Sequence, residues 1–386
     1  LVAPKSQVSG VKHLLDARRV VIKIGSSLFV DQSSGTLDRA WLAALCSDVS
    51  AMRKAGQEVV IVSSGSIALG AGQLGLASDR MRLEESQASA AVGQIQLAHA
   101  YQEELGLKDL AAAQVLLTLD DSENRRRYLN AEGTLLTLLS RGAIPVVNEN
   151  DTVATEEIRY GDNDRLAAHV AQMLSADCLI ILSDVDGLYT SDPKADQQAR
   201  HIPEITDLKH DYWDMAGGPG SAQGTGGMRT KLDAARIALG AGCRVVITSG
   251  RVKKPIRELL DGGRATWFMP TSTPKAARKQ WIAGTLKPKG ALTVDDGAQR
   301  ALLSGKSLLP AGVLAVEGDF GRGEVVQILG HDGTELGRGL TVYTSSETRS
   351  IAGYQSGAIN GILGYCRRDE IIHRNDLVLT QDKIGL

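Results

Sequence analysis

The stretch GTGGMRTK, Gly224 to Lys231, sets three glycines and two cations against a helical run, LDAARIALGAG. The first turn of a helix already carries uncompensated N–H groups and a partial positive charge, so an acid is the residue expected there. Arg229 and Lys231 are locally unfavourable unless an anion joins them, and glycines let backbone N–H groups approach phosphate oxygens closely. A flexible loop followed by two solvated cations is the plain alternative. Lys23 raises the same question, because it stands inside the apolar run VVIKIG, two residues before Gly25, Ser26 and Ser27. A buried ammonium needs solvent or an anion, so this lysine either snorkels at a sheet edge or meets a ligand.

A second set of polar residues suits a different ligand. VSSGSIALG puts Ser64, Gly65 and Ser66 between a strand-like run and a helix-like one, where a carboxylate or phosphate could sit on the helix terminus. VNENDTVATEEIRYGDND, from Val147 to Asp164, gathers amides and carboxylates without a metal-ligand histidine pattern. Asn148, Asp151 and Asn163 could recognise an ammonium and a carboxylate together, as an amino acid requires. Capped turns account for one or two of these residues, since Asp and Asn favour turns and helix starts, but poorly for the set. In SDVDGLYTSDP, Asp184 follows a strand and could orient a lysine or a phosphate-bound cation, with an ordinary turn as the alternative.

Two tempting matches fail on context. GAGQLG, Gly70 to Gly75, fits GxGxxG but starts several residues after its strand and lacks an acid about 20 residues on. SGKS, Ser304 to Ser307, is no P-loop, because Arg300 occupies the place of the first glycine. NRRRYLN, Asn124 to Asn130, reads as the solvated face of a helix or part of a subunit contact.

The elements that must position these residues are legible as alternation. Apolar strand-like runs, Arg19 to Gly25, Glu58 to Gly65, Ala112 to Thr118, Ala143 to Asn150, Cys178 to Asp184 and Arg244 to Gly250, are separated by helical patterns. That is the signature of a parallel sheet covered by helices, and continuous apolar runs indicate strands buried on both faces. Ligands of such sheets bind beyond the carboxyl ends of the strands, where the polar endings lie. From Arg264 to Lys289 the texture changes, with six Lys or Arg and no acid, and Gly290 to Leu386 has the short runs of a small β-rich domain.

The 386 residues are 43% hydrophobic and 23% charged with a formal net charge of −2, so the whole chain is no polycation. The four cysteines lie far apart and match neither a zinc spacing nor a dense disulfide framework; reduced, buried thiols are expected. No run approaches about 18 apolar residues, and the first residues lack a secretory apolar core. No membrane association and a cytoplasmic location are expected.

VIKIGSSL, VIVSSGSIALG, VNENDTVAT, GDNDRLAA, SDVDGLYTSDP and GTGGMRTKLDAA occur in this order. The series resembles the glutamate 5-kinase branch of the amino acid kinase family. LLPAGV, GDFGRGEVV, GLTVYTSSE and IAGY in the tail resemble a PUA domain. The resemblance implies an α/β fold, a three-layer sandwich with a mainly parallel central sheet, plus a small β-rich PUA-like domain. Residues 1–275 would be the catalytic domain, 276–289 a linker and 290–386 the PUA-like domain. It implies transfer of the ATP γ-phosphoryl group to the side-chain carboxylate of L-glutamate, giving glutamyl 5-phosphate, the first step towards proline.

By the same resemblance, Lys23 and Lys231 stabilise charge on the phosphoryl group and Asp164 holds them in place. Ser64, Asp151 and Asn163 match glutamate-contacting positions. Lys23, Ser183, Asp184, Thr225, Gly226, Gly227, Met228, Arg229, Thr230 and Lys231 match nucleotide-contacting ones. Arg229 departs from the small residue often found in that loop and leaves its charge balance open. Mg2+ would arrive with ATP, with no protein ligand assigned, and the family is commonly homo-oligomeric and inhibited by proline. The rivals are another kinase of this fold, acting on acetylglutamate or a nucleoside monophosphate, and an RNA-binding protein acting through its tail. NENDTVAT, GDND and the tail argue against the first. The tail's 9 Lys or Arg against 12 Asp or Glu from Gly290 to Leu386 argue against nucleic acid.

Overall fold

The computed structural model describes residues 5–31, 34–76, 81–153, 163–193, 195–216, 227–284 and 287–380. The chain divides into two compact units: residues 1–122 with 131–274, and residues 123–130 with 275–386.

The first unit is built on an eight-stranded sheet. Its strands are β1 (Arg19–Ile24), β2 (Glu58–Ser63), β3 (Ala112–Leu117), β4 (Ile144–Glu149), β5 (Cys178–Ser183), β6 (Glu204–Ile205), β7 (Arg244–Ser249) and β8 (Ala265–Phe268). They lie in the order β6-β8-β7-β5-β1-β2-β4-β3. All neighbours pair parallel except β7 with β8. The six strands expected from apolar runs are present. β6 and β8 have no counterpart among those runs; β8 is a fully buried ATWF segment inside the basic stretch that reads as irregular. β3 corrects the expectation of burial on both faces: it is the edge strand and only half-buried, because one side has no neighbour.

Strand alternation divides the side chains between two helical layers. Val20, Ile22 and Ile24 of β1 join Ile61, Ile180 and Val246 in one core with helices α1 (Arg39–Lys54), α3 (Leu83–Gly106) and α6 (Pro255–Leu260). Trp41, Leu42, Leu45 and Val49 recur at helical spacing on the buried side of α1, whose start is capped by Asp38 accepting from the Trp41 amide at 2.9 Å. The opposite layer holds α4 (Asn163–Met173) and α5 (Met228–Gly240), packed side by side. Lys23 belongs to that opposite face.

Two tight places shape the chain after β2. Gly65 adopts φ +113°, the left-handed region that favours glycine, and starts α2 (Ser66–Leu74). α2 then crosses α3 so closely that a Cβ on Gly70 would lie 1.8 Å from the Ser89 carbonyl oxygen, and one on Gly93 1.8 Å from that of Ser66. Of the GAGQLG glycines, Gly70 therefore serves helix packing, Gly72 lies against the backbone of Ser34 and Gly35, and Gly75, at φ +67°, ends α2.

The second unit has a five-stranded sheet of β9 (Gly290–Val294), β10 (Val313–Gly318), β11 (Val325–Leu329), β12 (Glu335–Leu340) and β13 (Leu377–Leu379), in the order β10-β9-β11-β12-β13. Leu292, Val326, Ile328 and Tyr343 pack on one face with Ile351 from α8 (Ser345–Ile351). The Tyr343 hydroxyl donates to the Arg368 carbonyl at 2.6 Å and accepts from the amides of Arg367 and Arg368, pinning that loop. Helix α7 (Pro274–Gly284) buries Ile282 against Val325, Leu340 and Val378, and Arg278 pairs with Asp376 at 2.7 Å. Cys46, Cys178 and Cys243 are buried free thiols, whereas Cys366 is exposed, contrary to expectation, because it lies in the loop after β12 and α8.

Candidate active site

Lys23 lies in the centre of the large sheet, paired in register with Val62 on one side and Ile181 on the other. It is only 5% exposed. A cation there requires a counter-charge, and Asp164, in the first turn of α4, supplies it with Oδ1 2.6 Å from Nζ. The helix terminus favours an acid at that position. Lys231, in the first turn of α5, places its Nζ 3.3 Å from Oδ2 of the same carboxylate, which also accepts from Thr230 Oγ1 at 3.0 Å. Two ammonium groups, one from a strand and one from a helix, thus meet on one fully buried carboxylate from a second helix.

Electrostatics follow from that packing. Burial pushes the Asp164 carboxyl up, but the ammonium groups of Lys23 and Lys231 outweigh it and hold the group below the usual carboxylate range. Burial lowers the Lys231 pKa, opposed by Asp164 and Asp184 and reinforced by Lys23. Arg229 diverges from Lys231: two residues apart on a helix, the side chains point to nearly opposite sides, and Arg229 is exposed. Both cations lie within the first turn, and Gly227 is the residue that precedes the helix; that turn has no acid and no side-chain cap among the described residues.

The strand ends carry a polar network beside this cluster. Asn163 Nδ2 donates its two hydrogens to Ser64 Oγ at 2.7 Å and Asn148 Oδ1 at 2.9 Å, with the Ser63 carbonyl at 3.3 Å sharing one of them. Its Oδ1 is buried and accepts no hydrogen bond among the described residues. Asn148 Nδ2 donates to Gln94 Oε1 at 2.7 Å and to Ser66 Oγ at 3.2 Å, and Ser66 Oγ donates to Asp151 Oδ2 at 3.3 Å. Burial pushes the Asp151 pKa up to about 6, with the Ser66 hydrogen bond opposing it. At the end of β5, Ser183 Oγ donates to Asp184 Oδ1 at 3.2 Å, and Arg251 lies 3.9 Å from Asp184 Oδ2.

The amino acid kinase family model matches residues 18–249 and the PUA domain model residues 290–363. A glutamate 5-kinase of Paramagnetospirillum magneticum is 58% identical over 366 residues, 95% of this chain and 99% of its own. Those of Rhodospirillum rubrum and Agrobacterium fabrum are 57% and 54% identical, over 93% and 96% of this chain and 96% and 95% of theirs. The chain belongs to the glutamate 5-kinase family, amino acid kinases with a C-terminal PUA domain.

Against that glutamate 5-kinase frame, the structure brings Lys23, Lys231, Asp164 and Thr230 together, and Ser64 and Asn163 together. It sets Asp151 beside Ser66, and Ser183 and Asp184 at the neighbouring strand end. Gly227 and Met228 open α5, while Thr225 and Gly226 lie outside the described residues. Sequence reasoning passed over Gln94. The available signal was a polar residue on the face shared by Ala90 and Leu97, both buried, at i−4 and i+3 on α3.

Proposed function

We propose that this chain transfers the γ-phosphoryl group of ATP to the side-chain carboxylate of L-glutamate, forming L-glutamyl 5-phosphate, the first step towards proline. The acceptor is ionised near neutral pH, so the reaction needs charge stabilisation and alignment in place of a base. A glutamate carboxylate oxygen bonds to the γ-phosphorus as the bond to the ADP oxygen breaks. Lys23 and Lys231 face the phosphoryl oxygens, and Asp164 keeps both ammonium groups converged. The N–H groups opening α5, with Ser183 and Asp184, hold the nucleotide. Mg2+ enters as part of the nucleotide substrate; among the described residues no group of three or more His, Cys, Asp or Glu could hold an ion.

At the glutamate end, Asp151 as carboxylate and the buried Asn163 Oδ1, unpaired among the described residues, accept hydrogen bonds from the substrate ammonium, and Ser64 orients the substrate. The observation that carries the reading is the meeting of Lys23 and Lys231 on Asp164. Among the described residues no helix is long and apolar enough to cross a membrane. Family membership supports a cytoplasmic homo-oligomer in which proline competes at the glutamate site, and an architectural or regulatory tail in place of nucleic-acid binding. The test measures ADP release with L-glutamate, acetylglutamate, aspartate and uridine monophosphate, with hydroxylamine present to trap an acyl phosphate. A hydroxamate from glutamate alone is expected; hydroxamate from acetylglutamate or aspartate in its place, or ADP release with uridine monophosphate and no hydroxamate, would overturn the assignment.

A further inference from the structure

Asn163 can serve an ammonium group only if its amide is turned the right way round, and the structure shows what turns it. Each asparagine amide has two donor hydrogens on nitrogen and acceptor capacity on oxygen, and exchanging the two ends reverses every contact. Asn148 is saturated: Nδ2 donates to Gln94 Oε1 and Ser66 Oγ, while Oδ1 accepts from the Glu149 amide at 2.9 Å and from Asn163 Nδ2. The Glu149 N–H is backbone and can only donate, so it fixes which end of Asn148 faces it. The Ser63 carbonyl, which can only accept, fixes Asn163 in the same way. Gln94 lies at the far end of this series, 9% exposed on α3, with its oxygen toward Asn148. Gly93 beside it lets α3 approach the Ser66 carbonyl closely enough for that contact. The outcome at the other end is a buried Asn163 Oδ1 with no donor on it among the described residues.

We propose that Gln94 is a positioning residue for substrate recognition: through Asn148 it holds Asn163 with its oxygen turned to the ammonium of the amino-acid substrate. This rests on the reading of the site as a glutamate site. Removing the Gln94 acceptor leaves a buried Asn148 hydrogen unpaired, which is costly enough to drive the side chain to another partner. Asn163 then loses its 2.9 Å acceptor on Asn148, and of the two groups that can only accept here the longer Ser63 carbonyl contact, at 3.3 Å, alone holds its sense. The phosphoryl-transfer groups, Lys23, Lys231 and Asp164, make none of these contacts.

The experiment is initial-rate kinetics on the full-length protein with L-glutamate and ATP varied in turn. Gln94→Met, similar in volume and lacking the acceptor, is expected to raise the KM for glutamate about tenfold, the equivalent of roughly one lost hydrogen bond. kcat and the KM for ATP stay within about threefold. Gln94→Glu keeps an acceptor oxygen in either protonation state and should restore the glutamate KM to near the parent value. Should Gln94→Met not be recovered folded, Gln94→Asn, which withdraws the amide by one methylene, carries the same expectation. An unchanged glutamate KM, or a parallel loss in both substrates and kcat without rescue by Gln94→Glu, would overturn the proposal. Failure of the parent protein to form hydroxamate would instead overturn the functional reading beneath it.

Discussion

Single residues set the pH behaviour expected of this site. Asp151 has a folded-state pKa pushed up to about 6 by burial. Ionised, it attracts the substrate ammonium; protonated, it does not. The KM for glutamate should therefore rise as pH falls through about 6, approaching tenfold per unit below it, while the KM for ATP changes little. The same shift has an opposite sign for stability. A carboxyl with a raised folded pKa favours the folded state below its unfolded pKa and loses that contribution as pH rises through about 6. Asp151→Asn should consequently raise the thermal midpoint of the ligand-free protein at pH 8, with the gain shrinking towards pH 4, while greatly weakening glutamate saturation. A lower midpoint at pH 8, or an unchanged glutamate KM, would contradict the role given to Asp151. Asp164 behaves differently, since two ammonium groups hold it ionised; Asp164→Asn leaves both cations buried together and should cost about 3 kcal/mol or more, read from denaturant unfolding.

The elements carry geometry that no single side chain supplies. α2 and α3 cross at Gly70 and Gly93 without room for a Cβ, and this crossing brings Ser66 and Gln94 to the strand ends. Gly93→Ala should destabilise the fold by about 3 kcal/mol and raise the KM for glutamate more than that for ATP. Equal stability with unchanged kinetics would show that the helices separate at no cost. Much of this layer was legible in the sequence. Strands β1, β2, β4, β5 and β7 announce themselves as apolar runs with polar ends, and Lys23 as a charge out of place within one of them. β8 was not legible, because ATWF is short and is flanked by Arg264 on one side and by Met269 and Pro270 on the other; its strand character comes from pairing with β7. The edge position of β3 was equally hidden, since strand order is a property of the whole sheet. At the site, the amides and carboxylates of NENDT and GDND were readable as a set, but their hydrogen-bond sense was not. Gln94 acquires meaning only when α3, β2 and β4 converge, and Asn148, already readable as a candidate, finds its partners only there.

At the scale of the molecule, the two units have separate cores. Every residue given a part in phosphoryl transfer or glutamate recognition lies in the first. A chain ending at residue 274 is expected to retain glutamate-dependent hydroxamate formation within about tenfold of the full-length rate. Loss of turnover from a folded truncated protein would instead give the C-terminal unit a part in the chemistry. Divergent Arg229 and Lys231 show how much depends on the folded whole: neighbours in one sequence motif, the first ends exposed and the second on a carboxylate contributed by a different helix. The most direct test of that convergence is steady-state kinetics of Lys231→Ala. Its kcat should fall by about a hundredfold or more, with the KM for glutamate within about threefold. A kcat close to the parent value, or a loss expressed equally in glutamate binding, would contradict a pair of ammonium groups acting on the phosphoryl group in transfer.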